Sequence, residues 1–282
     1  MDDPYVYLNG TLTPLSEAKI PVLDRGFIFG DGIYEVIPVY GHTLFRPAQH
    51  LARLFRGLAA VGIANPYDER QWLNLIEEVV RLQPAADQLA YIQVTRGVAR
   101  RTHAFPDTEP TPTVFIMSNP LSPLAEEARS KGVACVTMED KRWLRCEIKS
   151  ISLLGNVLAA QHAAAQDAHE TIQFRDGFLT EGSASNVWIV KDGTLIGPPR
   201  DNLILEGIRY GLMKELCAAE AITFQARRIA RAEVFSADEV LLSSASKEIV
   251  AVSAIDGLAI ANGQPGPIYK KLYAAYQTVK IT

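Results

Sequence analysis

The sequence predicts an α+β protein of two domains. Three observations carry that prediction. Segments with two-residue apolar alternation and segments with helical apolar spacing follow one another without a strict strand–helix–strand rhythm, which disfavours a doubly wound sheet. The length, 282 residues, suits two medium domains or one large one. The run Ser118-Asn119-Pro120-Leu121-Ser122-Pro123 has the composition of a linker stiffened by two prolines. It divides the chain into an N-terminal domain at 1–119, a linker at 120–123 and a C-terminal domain at 124–282.

The elements follow in order. Tyr5–Leu8 reads as a strand closed by the Asn9-Gly10 turn signal. Ile33–Tyr40 is rich in strand formers, and its Pro38 requires an edge or a bulge. Pro47 opens a helix whose Leu51, Leu54, Phe55 and Leu58 share one face. A second helix spans Glu69–Leu82 with Trp72, Ile76, Val79 and Val80 inward, and strands are expected at Leu89–Thr95 and Thr113–Ser118. In the second half a strand is expected at Val133–Met138, then a helix from Ser152 carrying Leu153, Leu154, Val157 and Leu158. Asp176-Gly177 and Asp192-Gly193 are hairpin signals after strands at Thr171–Arg175 and Val187–Val190. A helix from Gly207 to Ala219 buries Ile208, Leu212 and Leu216. Strands at Glu239–Ser243 and Ile249–Ile255 precede a terminal helix holding Ile268, Leu272, Ala275 and Val279.

Composition excludes several classes of function. The hydrophobic fraction is 48%, the charged fraction 21% and the net charge −4, with no basic stripe, so nucleic acid is not an expected partner. No apolar run approaches the roughly 20 residues that a bilayer span needs. The start, Met1-Asp2-Asp3-Pro4, is acidic and lacks the apolar core of a signal peptide. Cys135, Cys146 and Cys217 have no metal-ligand spacing, and an odd count suits a reduced, cytoplasmic protein. GxGxxG, Walker A, HExxH and GxSxG motifs are all missing.

Four segments could carry chemistry. Lys149 lies between Trp143-Leu144 and the apolar run Ile151–Leu154, with Arg142 and Arg145 nearby. Partial desolvation and neighbouring cations both favour the neutral amine that attacks an aldehyde. The alternative is an ordinary lysine at a strand edge. In Leu179-Thr180-Glu181-Gly182-Ser183-Ala184-Ser185-Asn186, a carboxylate precedes small hydroxyl residues. That pattern suits either a tight loop against a cationic ring or a polar turn. The strand ending near Thr95 delivers a loop with three arginines, Arg96, Arg100 and Arg101, and with His103; the guanidinium forks match carboxylates unless the loop is merely solvated. Phe29-Gly30-Asp31-Gly32-Ile33-Tyr34-Glu35 allows close backbone approach at two glycines, and Arg53 follows off the apolar helix face, as a phosphate ligand or a solvated side chain.

Taken together and in this order, these segments resemble fold-type IV pyridoxal-phosphate enzymes, most closely the D-amino acid aminotransferases. The likeness rests on Asp24-Arg25-Gly26 with Phe29–Glu35, on Arg142–Ser150, on Thr180–Asn186 and on the Arg101-x-His103 loop. It implies a two-domain fold with pyridoxal 5'-phosphate between the domains and no metal. Lys149 would be the Schiff-base lysine and proton shuttle. Glu181 would hold the pyridine N–H, and Arg53 would bind the cofactor phosphate. Ile208 and Arg209 would offer backbone amides at a helix start, where the dipole favours an anion. Ser244 and Ala245 would complete the phosphate cup, Leu205 would pack on the ring, and Ser185 falls within the cofactor-binding segment.

Tyr34, Arg101 and His103 resemble that family's carboxylate trap, the last two donated by the neighbouring subunit of a homodimer. The implied substrates are D-amino acids and 2-oxo acids. An (R)-amine transaminase and a lyase of the aminodeoxychorismate type remain as alternatives. Arg209 and Ala245 stand where close relatives carry threonines, and Ala184 replaces a serine; these departures bear on cofactor affinity. Arg100 adds positive charge beside Arg101, which favours a substrate with a second carboxylate.

Overall fold

A computed structural model describes residues 3–280 of the chain; Met1 and Asp2 of the acidic start and the last two residues lie outside the described residues. Packing separates two compact units. The first takes the chain up to Ser122 and then the short strip Ile148–Leu153; the second takes Pro123–Glu147 and the chain from Leu154 onward.

The first unit contains strands β1 (Tyr5–Leu8), β2 (Thr11–Pro14), β3 (Gly32–Tyr40), β4 (Thr43–Leu44), β5 (Gln88–Thr95) and β6 (Thr113–Pro120). They form one antiparallel sheet in the order β2-β1-β6-β5-β3-β4. Helices α1 (Arg25–Phe29), α2 (Pro47–Ala60) and α3 (Glu69–Leu82) accompany it. Asp68 and Gln71 form a reciprocal capping box at the start of α3, which fixes that boundary. Along β3 the side chains alternate. Ile33 and Ile37 are buried in a core with Leu51, Leu54 and Leu58 of α2 and Trp72 and Ile76 of α3, while Tyr34 and Val36 stay half-buried on the other face.

Pro38 is accommodated because its missing N–H faces away from β5. Its carbonyl accepts from Phe45 N–H on that same side, and a strand residue points both backbone groups one way. Farther along the same edge of β3, Tyr34 N–H donates to Lys149 C=O (3.0 Å) and Ile151 N–H to Gly32 C=O (3.0 Å). The strip 148–153 is thereby tied to the sheet.

The second unit contains α4 (Glu126–Lys131), β7 (Val133–Glu139), α5 (Leu154–Ala164), β8 (Glu170–Arg175), β9 (Phe178–Gly182), β10 (Asn186–Lys191) and β11 (Thr194–Gly197). It continues with α6 (Ile208–Ala219), β12 (Thr223–Ala226), α7 (Arg231–Phe235), β13 (Glu239–Ser244), β14 (Glu248–Ile255), β15 (Leu258–Ala259) and α8 (Pro267–Lys280). The nine strands make a mixed sheet, β12-β11-β10-β13-β14-β7-β8-β9, with β15 on β14. Asp176-Gly177 and Asp192-Gly193 both adopt positive φ at both residues, as tight hairpins require. Glu239 on β13 accepts from the Ile268 and Tyr269 amides (2.8 Å each) and so caps α8 from a distant strand.

Three helices differ from the sequence reading. In α6, Leu212 and Leu216 are buried as expected, but Ile208 is only half-buried, and Arg209, Tyr210 and Met213 take the core side instead. The helix expected from Ser152 begins at Leu154. Its Leu154, Val157 and Leu158 are 72%, 58% and 58% exposed, the buried side being Ala159 and Ala163. In α8 the buried stripe is Tyr269, Leu272 and Tyr276 rather than Ile268, Ala275 and Val279, because the two large aromatics take the core side. No helix among the described residues is long and apolar enough to cross a membrane.

A Cβ at Gly32 would lie 2.6 Å from Val94 O and 3.1 Å from Thr95 Cα, both backbone atoms, whereas one at Gly211, inside α6, meets nothing within 4 Å. Gly32→Ala is expected to destabilise by about 1–3 kcal/mol. Gly211→Ala is expected to stabilise by about 0.5–1 kcal/mol. Urea midpoints of the two variants against wild type check the opposite signs.

Candidate active site

The strip tied to β3 places Lys149 next to Tyr34. Its Nζ lies 4.0 Å from the Tyr34 ring centroid, on the half-buried face of the sheet. Lys149 makes no ion pair with an acid among the described residues, so no carboxylate pins its ammonium. The approach depends on glycine: a Cβ at Gly30, which sits at φ 66°, would strike Ser152 Oγ, and Ser152 Oγ donates to Gly30 C=O (2.9 Å).

Arg53 is buried rather than solvated. Glu35, fully buried on the helix-facing side of β3, accepts from Arg53 Nε (2.9 Å) and Nη2 (2.6 Å), and lies 3.0 Å from His50 Nδ1. Against the penalty of complete burial, Arg53 and His50 hold the Glu35 carboxyl well below the usual carboxylate range.

The loop after β5 divides its arginines between two duties. Arg96 grips Asp31 through Nε (2.8 Å) and Nη2 (3.0 Å) and donates to the Gly62 and Val61 carbonyls, so its fork is structural. Arg25 also holds Asp31 and donates to the Thr102 carbonyl (2.7 Å). That leaves Arg100, Arg101 and His103 exposed, with the His103 ring 5.5 Å from Phe29 and Arg101 over the same ring.

In the second unit Glu181 is the centre of a buried charge network. Its Oε1 is paired with Arg142 Nη1, and its Oε2 accepts from Leu205 N–H (2.9 Å) and Asn186 Nδ2 (3.4 Å). Arg142 in turn grips Asp140 through Nε (3.0 Å) and Nη2 (2.8 Å), and Arg175 and Thr180 also bind Asp140. Burial pushes Glu181 up to about 7 against the pull of Arg142 and the Leu205 amide. Asn186 Nδ2 also donates to Leu205 C=O (2.8 Å), so Leu205 is held at both backbone groups beside the carboxylate.

Ser185 lies one step away. Its Oγ donates to the buried Glu170 (2.8 Å), which also accepts from Ser183 N–H and Thr171 N–H (2.9 Å each) and so braces the turn after β9. At the start of α6, Ile208 is half-buried and Arg209 buried. The first amides of a helix have no acceptor within it. Arg209 Nη2 donates to Ala245 C=O (3.4 Å), joining that helix start to the β13–β14 turn, where Ser244 Oγ accepts from Lys247 N–H (3.1 Å).

Known proteins resemble this chain in sequence and in fold. The family described as amino-transferase class IV matches residues 32–255. The chain belongs to this family. A D-alanine aminotransferase of Bacillus licheniformis is 38% identical over 272 residues, covering 96% of this chain and 95% of the relative. The Escherichia coli branched-chain amino acid aminotransferase superposes with a TM-score of 0.93 at 22% identity, covering 98% of this chain and 94% of the other. The T.th. branched-chain amino acid aminotransferase, solved with pyridoxamine 5'-phosphate, superposes with a TM-score of 0.90 at 24% identity, covering 99% and 95%. These two structural likenesses establish the fold.

The sequence of this class IV aminotransferase assigned no role to Asp140, Glu170, Asn186, Glu35 or His50, and it pointed to Arg142 only as a cation near Lys149, whereas the structure pairs Arg142 with Asp140 and Glu181. Arg142 was detectable in principle: a carboxylate read as buried demands a compensating cation. The Glu35 contribution to stability is complete above the ordinary carboxylate value of 4.5 and is lost as pH falls through its depressed native value. Glu35→Gln, which leaves Arg53 buried beside a neutral amide, is expected to cost roughly 3–5 kcal/mol at pH 7. The gap to wild type should narrow below pH 4.5 in unfolding experiments run as a pH series.

Proposed function

We propose that this chain transfers amino groups between D-amino acids and 2-oxo acids, using pyridoxal 5'-phosphate held covalently by Lys149. The observation that carries the reading is the Lys149 amine, free of any acid partner among the described residues and held 4.0 Å from the Tyr34 ring. The name of the Bacillus licheniformis relative, which covers nearly the whole chain, supports D-amino acids as the substrate class.

The residues present suit the cofactor. A carboxylate offers about four acceptor positions, and Glu181 uses three of them on Arg142, Leu205 and Asn186, which leaves one for a ring N–H. Its elevated proton affinity also fits a group that shares a proton with a pyridine nitrogen. When bound, pyridoxal 5'-phosphate supplies an aldehyde for imine exchange and a protonated ring that withdraws electrons from the substrate Cα.

The chain's own residues do the rest. Lys149 Nζ would hold the cofactor's aldehyde carbon and would serve as the base for the proton on the substrate Cα. Glu181 would hold the proton on the ring nitrogen, and Arg142 fixes the orientation of its carboxylate. Leu205 would pack on the ring and Ser185 would border it. Arg53, the amides of Ile208 and Arg209, Ser244 and Ala245 would hold the phosphate, the helix start adding its dipole. Tyr34, Arg101 and His103 hold the substrate carboxylate.

Arg101 and His103 act in the site of a second copy, in a homodimer; their exposure, and that of Val22, Phe27 and Phe105, suits such a contact. Three buried, free cysteines suit a reducing cytoplasm.

Lys149→Ala should lose the visible absorption of the lysine-bound cofactor and nearly all turnover; retained turnover would sink the assignment. Glu181→Gln should keep the cofactor but lower kcat by at least about a hundredfold, the scale of a lost transition-state charge contact. An unchanged kcat contradicts its role. Half-reactions followed by loss of that absorption with D-alanine, L-leucine and an (R)-arylamine decide the substrate class, and the reading expects D-alanine alone to react well.

A further inference from the structure

The half-buried face of the first sheet carries a polar group that the transamination roles leave unused. In register, Tyr34 on β3 pairs with Gln93 on β5, and Gln93 pairs with Phe115 on β6; in the next row Val36 pairs with Tyr91 and Tyr91 with Met117. All six side chains are half-buried, whereas the alternate residues Ile33, Glu35, Ile92 and Ile116 are fully buried on the other face. The Tyr34 and Tyr91 rings stack with centroids 5.7 Å apart, and Phe115 lies 6.4 Å from Tyr91. The wall is thus aromatic and apolar, with one amide set into it beside the ring that carries Lys149 Nζ.

The hydrogen bonding of that amide is directional. Tyr91 Oη donates to Gln93 Oε1 at 2.7 Å. Burial pushes the Tyr91 phenol up to about 12, so this proton is present at every working pH and must be given to an acceptor. The carbonyl end of Gln93 therefore faces Tyr91, and its two N–H donors remain for a ligand. A pair directly opposed across antiparallel strands has Cβ atoms about 4.5–5.5 Å apart, so a group attached to the Cα atom that Lys149 deprotonates over Tyr34 can reach Gln93.

We propose that Gln93 is a specificity-determining residue of this site, donating its amide N–H groups to the side-chain carboxylate of an acidic D-amino acid such as D-glutamate, whose methylenes lie on Tyr91 and Phe115. The inference rests on the transaminase reading above. A carboxylate fits better than a carboxamide because the face offers donors, and a carboxylate is acceptor-only.

The test compares kcat/KM for D-glutamate with kcat/KM for D-alanine in the cofactor-loaded enzyme, in wild type, Gln93→Leu and Gln93→Glu. Gln93→Leu should lower the D-glutamate to D-alanine ratio at least tenfold, mainly through KM for D-glutamate. Gln93→Glu keeps an acceptor for the Tyr91 hydroxyl and nearly the same shape, so it should fold as wild type does; its added charge should lower the ratio further. Were Gln93 only a packing partner of Tyr91, Gln93→Glu would retain the wild-type ratio, and that result overturns the proposal. A ratio within twofold of wild type in both variants also overturns it. Wild-type enzyme inactive on both substrates would instead overturn the transaminase reading on which it stands.

Discussion

The pairing of Gly32–Tyr34 with Lys149–Ile151 is the constraint on which the candidate site depends. It is only two backbone hydrogen bonds, but they join segments more than a hundred residues apart in sequence and fix the lysine relative to a rigid strand. Strand geometry then does the positioning. With side chains alternating across β3, the register that turns Ile33 and Ile37 into the core necessarily turns Tyr34 toward Lys149. The glycines flanking Asp31 are the cost of this closeness. At position 32 even a methyl group meets the backbone of β5, and at position 30 it meets Ser152. Core packing and the placement of Lys149 beside Tyr34 are therefore the same event here: the strand cannot slip by one residue without losing both.

Buried charge is handled in two opposite ways. Glu35 is surrounded by Arg53 and His50 and is held firmly ionised. Glu181 is as deeply buried, yet its cation is shared: Arg142 divides its guanidinium between Glu181 and Asp140. Burial then outweighs the attraction and leaves Glu181 able to hold or release a proton near neutrality. Two carboxylates with the same chemistry are thus separated in proton affinity: Glu35 has two cationic partners, Arg53 and His50, while Glu181 has one, which Asp140 also holds. The first is a permanent brace that keeps Arg53 in place. The second suits the proton-sharing role proposed for Glu181.

Much of the fold was legible because local signals were strong. The boundaries of α3 follow from Asp68-x-x-Gln71 and the spacing of Trp72, Ile76, Val79 and Val80, and α2 follows from Pro47. The two Asp-Gly turns announced their hairpins. Short strands such as Thr11–Pro14 and Thr223–Ala226 escaped because they sit at sheet ends, where half-polar sequences suffice. The α5 leucines misled, since that helix buries its small residues, Ala159 and Ala163, and leaves Leu154, Val157 and Leu158 exposed. At the candidate site, linear motifs alone pointed to Lys149, Glu181 and Tyr34 as candidates. Their supports could not: Arg142 to Glu181, Asn186 to Leu205 and Glu170 to Ser185 are partnerships made only by folding. Arg96 shows the converse, an arginine with the sequence look of a ligand that is fully occupied by Asp31 and two carbonyls.

The return of Ile148–Leu153 to the first unit means that the chain passes from one unit to the other at three points, after Ser122, after Glu147 and after Leu153. During vectorial synthesis the first sheet emerges with the Gly32–Tyr34 stretch of the β3 edge still bare, and that stretch waits for some thirty further residues before the strip that covers it leaves the ribosome. A fragment ending at the Pro-rich segment would expose the same unpaired backbone permanently, an invitation to intermolecular strand pairing. The two halves are therefore not separable modules. The lysine strip is borrowed from the later part of the chain, and maturation of the earlier part is deferred until it arrives.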